Sequence, residues 1–279
     1  MKTLSNWGWH IAPTNSKCAV ADIHHGGTLR YCDKPDQTDG SRWLVKFGNN
    51  FDLGWKHHLT VSHKNWWFWD NPELPHLLYD NPANPSGAKT FIRWVKGSIM
   101  TASSDTPGEQ RVNDLLRKLS NNTLTTWRDI VAPRDVRRTR RHALIIASSP
   151  NCYRFYYNTT REQWLSQVQH TLEQQGWTWE LRIKQGRKAR RSNKLMDQLA
   201  TGHYGLVVNQ HSASTMESIL AGVPVVCDND HCGGPLVTEF KDFSEGADPQ
   251  ECTSAEVEQW MQTILGNVRH KSELKGTEW

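Results

Sequence analysis

The hydrophobic pattern is sharpest in the second half of the chain. Residues 143–147 (ALIIA) form a short, continuous apolar run, which predicts a strand buried on both faces. Residues 148–151 (SSPN) follow as a polar turn. Thr160 precedes Gln163 at capping-box spacing, and Trp164, Leu165, Val168 and Leu172 then recur at helical intervals. A helix is expected there, stopped by Gly176. Residues 177–184 (WTWELRIK) alternate, with Trp177, Trp179, Leu181 and Ile183 on one face and Thr178, Glu180, Arg182 and Lys184 on the other. Residues 192–201 predict a short helix with Leu195, Met196 and Leu199 inward. Residues 206–208 predict a strand, 209–212 a turn, 215–221 a helix ended by Gly222, and 223–226 a strand. Thr253 and Glu256 open an amphipathic helix whose apolar residues are Val257, Trp260, Met261, Ile264, Leu265 and Val268.

Strands thus alternate with helices, which argues for a parallel sheet covered by helices. Such sheets bind ligands beyond the carboxyl ends of their strands. That edge would hold Ser148, Ser149, Arg182, Lys184, residues 209–214 and residues 228–231. The first half is less periodic and rich in Trp, His, Asn, Pro and Gly. Its candidate strands are residues 43–47, 58–62, 66–69 and 90–95, and residues 110–119 read as a helix. Residues 121–141 read as a polar, basic linker. The expected organisation is α/β with two domains. Residues 1–135 form a smaller α/β domain with long Trp/His-rich loops, and residues 136–279 a Rossmann-like domain.

Composition narrows the classes. A chain of 279 residues can build one large or two small domains. Only 37% of it is apolar, but 14 tryptophans add buried area to a core otherwise short of aliphatics. No apolar run approaches the ~18 residues of a membrane span. The first ten residues lack the apolar stretch of a secretory signal, so a cytoplasmic protein is expected. Six scattered cysteines then read as reduced thiols. The net charge of +4 is too small for a dedicated nucleic-acid binder, but it is concentrated in residues 134–141 (RDVRRTRR) and 182–194 (RIKQGRKARRSNK). Such clusters attract phosphate groups, and they also serve as solvated surface.

The most specific chemistry lies in residues 205–225 (GLVVNQHSASTMESILAGVPV). A buried strand ends in a small polar turn that opens a helix. Ser212, Ala213, Ser214 and Thr215 are small enough to admit a phosphate, and Glu217 places a carboxylate near the same mouth, where it can accept two hydroxyls of a ribose. The alternative is a capped helix, with Ser212 or Ser214 as the cap and Glu217 favoured by the dipole. A nearby quartet, Cys227, Asp228, His231 and Cys232, has zinc-type ligands but no second Cys/His pair at matching spacing. A buried strand-end cysteine beside loop polar groups is the preferred account.

This strand, the xxSxxxxE turn-helix and the GxP that follows resemble the nucleotide-sugar half of GT-B glycosyltransferases. They are similar to short versions found in bacteriophages and in capsule biosynthesis. The resemblance covers residues 143–230. It implies two Rossmann-like domains facing a cleft. It implies that Ser212, Ala213, Ser214 and Thr215 meet the donor diphosphate and that Glu217 holds the ribose. Arg182 or Lys184 fits the basic residue that commonly meets the donor phosphates, although Gln185 and Gly186 follow where the family often has proline. Ser148 and Ser149 share that edge. The implied donor is a nucleotide sugar, a UDP-sugar by preference, with no metal or other cofactor. A basic clamp of Arg182, Lys184 and Arg187 would take the metal's place.

The resemblance also implies that the acceptor-activating base comes from the first half. Asp22, His24 and His25 lie in ADIHHGG, where two glycines admit a ligand, and Asp70 lies in WWFWDNP, where aromatic walls would desolvate it. His57 and His58 are weaker choices. Trp66, Trp67 and Trp69 can stack on sugars or bases, but core packing is their simpler role. The leading expectation is a glycosyltransferase acting on an acceptor hydroxyl, which could belong to a hydroxymethylated base of phage DNA flipped from its stack. Its alternatives are a glycan- or capsule-type glycosyltransferase, a sugar-nucleotide epimerase of the same fold, and a non-enzymatic nucleic-acid-binding protein with a Rossmann-like half.

Overall fold

The computed structural model of the chain describes residues 20–23, 29–32, 43–47, 66–70, 91–96, 114, 117, 140–183, 195–210, 212, 214–227, 233–266 and 268–270. The chain divides into two compact units. One is Met1–Pro107 with Ile264–Trp279, the other Gly108–Thr263. The first unit carries strands β1 (Val20–Ile23), β2 (Leu29–Cys32), β3 (Trp43–Phe47), β4 (Trp66–Asp70) and β5 (Phe91–Lys96). The second carries β6 (His142–Ala147), α1 (Pro150–Tyr157), α2 (Arg161–Gln174), β7 (Thr178–Ile183), α3 (Leu195–Ala200), β8 (Leu206–Asn209), α4 (Ser214–Leu220) and β9 (Val225–Cys227). A 3-10 turn (Gly234–Leu236), β10 (Thr238–Glu239), α5 (Phe240–Ser244) and α6 (Ser254–Gly266) follow, and β11 (Val268–His270) belongs again to the first unit.

The sheet of the first unit runs β11-β5-β4-β3-β1-β2. It pairs in parallel only between β3 and β4 and is antiparallel elsewhere.

The second unit is an α/β, Rossmann-like layer structure around a five-stranded parallel sheet, ordered β10-β9-β8-β6-β7. The first strand in sequence, β6, therefore lies between β7 and β8. The chain winds outward from β6 in both directions, which is a doubly wound topology with its switch point between β6 and β8. Register fixes the faces. Leu181, Ile145, Val208 and Val226 lie level across four strands. They share one face with Ala143 and Leu206, and Tyr153, Trp164, Val168, Leu172 and Phe243 of α1, α2 and α5 cover it. The row Arg182, Ile146 and Asn209 points to the opposite face. There Gln198 of α3 and Thr215 of α4 meet Arg182 and Asn209. Burial on both faces explains why residues 143–147 are continuously apolar: each of them is at most 6% exposed.

Local signals set the element ends. Thr160 and Gln163 form the full capping box of α2. Thr253 and Glu256 exchange the same reciprocal bonds ahead of α6. The edge strand β7 keeps the expected alternation, with Trp177, Trp179 and Leu181 packed on the core, but Ile183, its last residue, is half exposed. The polar stretch at residues 148–151 is a turn only at Ser148 and Ser149. Ser149 is the N-cap of α1 and Pro150 its first residue, because proline's fixed φ and missing N–H suit the first helical position.

Candidate ligand site at the carboxyl edge of the parallel sheet

The carboxyl ends of β6, β7, β8 and β9 fall at one level. Ala147 pairs with Ile183, Ile146 with Asn209, and Val208 with Val226. Chain leaving β6 and β8 diverges at this edge, which opens a crevice in doubly wound sheets. The structure brings Ser148, Ser149, Arg182, Asn209, Ser212, Ser214, Thr215 and Glu217 to this edge or to the helix that leaves it. His25, Lys184 and Ala213 lie outside the described residues, as do His24, His57, His58, Arg187, Asp228, His231, Cys232 and the expected strand 58–62. Of the expected helix at 110–119, Asp114 and Arg117 are described. Both are helical and paired at 2.9 Å.

The loop after β6 is pinned from below. The Ser148 N–H donates to the Tyr153 hydroxyl at 3.0 Å, and Tyr153 is fully buried. Burial pushes the phenol up to about 12, so it stays neutral and keeps its place. Ser149 caps α1 by position, but its side chain makes no cap bond.

The loop after β8 is built differently. Ser212 closes the turn: its carbonyl accepts from the Thr215 N–H at 3.0 Å and its hydroxyl from the Ser214 N–H at 3.3 Å. Helix α4 buries six of its seven residues and leaves Glu217 partly exposed. Small polar side chains allow this close seating, with the Ser218 hydroxyl donating to the Ser214 carbonyl at 2.8 Å. Gly233 contributes by having no side chain, since a Cβ there would stand 2.5 Å from Thr215 Cγ2. The Thr215 hydroxyl donates inward to Asn209 Oδ1 at 3.0 Å, with Cys227 Sγ behind it at 3.9 Å. Thr215 is fully buried, so its hydroxyl serves the sheet edge.

Among the described residues, the buried side-chain atoms without a hydrogen-bond partner are Asn209 Nδ2, Gln210 Oε1 and Ser214 Oγ. All three belong to this one edge. Leaving such a group unmet costs about 1–3 kcal/mol. Three together weigh heavily against a total stability of about 5–15 kcal/mol. The sequence places residues 209–214 at this edge and gives Ser214 a ligand-binding role, but gives none to Asn209 or Gln210. The available signal was two carboxamides directly after an apolar strand.

Arg182 lies level with Asn209 on the same face, two strands away, or roughly 10 Å between Cα atoms. Its Nη1 donates to Gln198 Oε1. The Gln198 amide is itself fixed, donating to the Tyr204 hydroxyl at 2.7 Å, and Tyr204 donates to Glu180 Oε2 at 2.7 Å. Burial, and next the bond to Glu180, hold the Tyr204 phenol above its ordinary value. A chain of hydrogen bonds through Gln198 and Tyr204 to the Glu180 carboxylate thus orients the guanidinium at this edge.

The other basic cluster reaches the opposite, amino edge. Arg141 Nη1 donates to the Gln175 carbonyl at 2.7 Å and its guanidinium lies over the Trp177 ring, while Arg140 contacts His203. In the first unit, Asp22 lies inside β1 opposite Arg30 and Leu44, and Asp70 ends β4 opposite Arg93. Asp22 is level with Trp66 through Leu44, so strand geometry separates the two aspartates by roughly 16 Å, and one acceptor hydroxyl meets at most one of them. Among the described residues no group of three or more His, Cys, Asp and Glu is arranged to hold a metal, and Cys152, Cys227 and Cys252 form no disulfide. No helix among them is long and apolar enough to cross a membrane. Comparison with protein families, with characterised proteins and with solved structures finds no match to this chain.

Proposed function

We propose that the chain is a glycosyltransferase that takes a nucleotide-sugar donor, by preference a UDP-sugar, at the carboxyl edge of the parallel sheet. The observation that carries this reading is the gathering of three buried, unmet polar atoms at the switch point between β6 and β8, beside Arg182 and Glu217. In this reading Glu217, the one residue of α4 that is not buried, accepts the ribose hydroxyls. Arg182 meets the diphosphate, where a preoriented guanidinium gives two-pronged hydrogen bonds. Ser149, with its hydroxyl not used in capping, faces the same ligand.

The proposed plan is GT-B. The second unit is the donor half, and the first unit supplies the acceptor side and the general base, with Asp70, Asp22 and His25 as candidates. The acceptor is a hydroxyl on a carbohydrate or on a hydroxymethylated base in DNA.

A thermal-shift panel of UDP-, GDP- and CDP-sugars tests the donor site. Ligand at a hundred times its Kd adds about 2.7 kcal/mol of stability, so one nucleotide class should raise the melting temperature by several degrees. Glu217→Ala should abolish most of that rise while leaving the unliganded melt in place. A flat panel, or an undiminished response in the variant, sinks the reading. Radiolabelled transfer to oligosaccharides and to hydroxymethylated DNA then identifies the acceptor.

A further inference from the structure

Asn209 is 1% exposed, Gln210 5% and Ser214 6%, and each holds a polar atom with no partner. Their chemistry restricts what can meet them. Gln210 Oε1 accepts only, so it needs an O–H or N–H donor. Asn209 Nδ2 donates only, so it needs an acceptor. Ser214 Oγ does either. An ionised phosphate offers acceptors alone and would face Gln210 with like polarity. A hydroxyl both donates and accepts, so a group of hydroxyls carries a partner for each of the three atoms.

The geometry points to a subsite of Asn209, Gln210 and Ser214 that binds the hydroxyl-bearing, neutral part of a phosphorylated sugar, with Thr215 as its positioning residue. Thr215 donates its hydroxyl to Asn209 Oδ1 and so fixes which edge of that amide faces the ligand. Ser214 and Thr215, grouped in the sequence with the phosphate-binding turn, act here on hydroxyls and on Asn209 instead. The subsite rests on the glycosyl-transfer reading only in that the ligand carries phosphate. The hydroxyls belong either to the donor's sugar or to its ribose.

The test uses the full chain and three probes: inorganic phosphate, glucose 1-phosphate and ribose 5-phosphate. The wild-type protein should bind at least one sugar phosphate about tenfold more tightly than inorganic phosphate, and which one it prefers tells the two hydroxyl sources apart. The Gln210→Met/Ser214→Ala double variant should bind that probe no better than phosphate. Without ligand it should melt at the wild-type temperature or about 2 °C above it, because it removes polar atoms that nothing satisfies. A variant that melts several degrees lower marks the groups as structural and overturns the inference. So does a protein that binds all three probes equally. A positive nucleotide-sugar panel beside equal binding of the three probes would leave the glycosyltransferase reading standing and remove this subsite alone.

Discussion

His142 stands at the amino end of β6, with its Nδ1 2.7 Å from Thr178 Oγ1. Its ring meets His203 edge-on and stacks on Tyr204, and Arg140 stands behind His203. Partial desolvation, and next the His203 ring, hold its pKa below the ordinary 6.5, against a smaller opposing pull from Glu180. The folded chain therefore takes up this proton less readily than the unfolded chain does. His142's contribution to stability is complete above pH 6.5 and is lost as the pH falls below it. The melting temperature of the wild type should drop between pH 7.5 and pH 5.5. In His142→Asn, which keeps a polar partner for Thr178, the drop should be smaller. Equal drops in both proteins would remove His142 as a source of acid sensitivity. The peculiarity of Asn209, Gln210 and Ser214 at the carboxyl edge is of another kind, unmet hydrogen bonding.

At the scale of elements, what the sequence makes legible depends on length and on burial. The strand at β6, the box-capped α2 and the alternating β7 are readable because several consecutive residues obey one period. The two-residue β10 and the five-residue α5 are too short to show any period. Helix α1 was hidden because its apolar residues are tyrosines, phenylalanine and cysteine among polar neighbours, so its start lay only in the Ser149-Pro150 pair. In the first half the reading found β3, β4 and β5 within a residue or two, while β1 and β2 escaped it, being four-residue strands with interior polar positions. The GxP motif after α4 separates into parts. Gly222 has φ of 71°, and the Val223 N–H returns to the Ser218 carbonyl at 3.0 Å, closing the helix as a Schellman turn. Any side chain there costs about 1–2 kcal/mol. Gly222→Ala should lower stability in urea by that amount while leaving the nucleotide-sugar thermal shift intact. An unchanged urea midpoint would contradict a structural role for this glycine.

At the scale of the whole molecule, the second unit has two unlike sheet edges. At the amino edge, Arg140, Arg141, His142 and His203 meet one another or nearby backbone, so part of the basic cluster at residues 134–141 is spent on structure. At the carboxyl edge, polar atoms are buried and unmet. The sequence pointed to this edge through its strand-turn-helix rhythm. It did not show that Thr215 turns inward or that Asn209 and Gln210 are the unsatisfied groups, because those facts arise from packing α4 against β8 and Gly233. The proposed nucleotide-sugar site lies where β6 and β8 diverge. Hydrogen-exchange mass spectrometry, with and without a saturating mixture of UDP-, GDP- and CDP-sugars, tests it directly. A bound nucleotide sugar should slow exchange in peptides covering residues 148–153 and 206–220 and leave residues 140–142 and 199–205 unchanged. Protection at that amino edge, or none at the carboxyl edge, would contradict it.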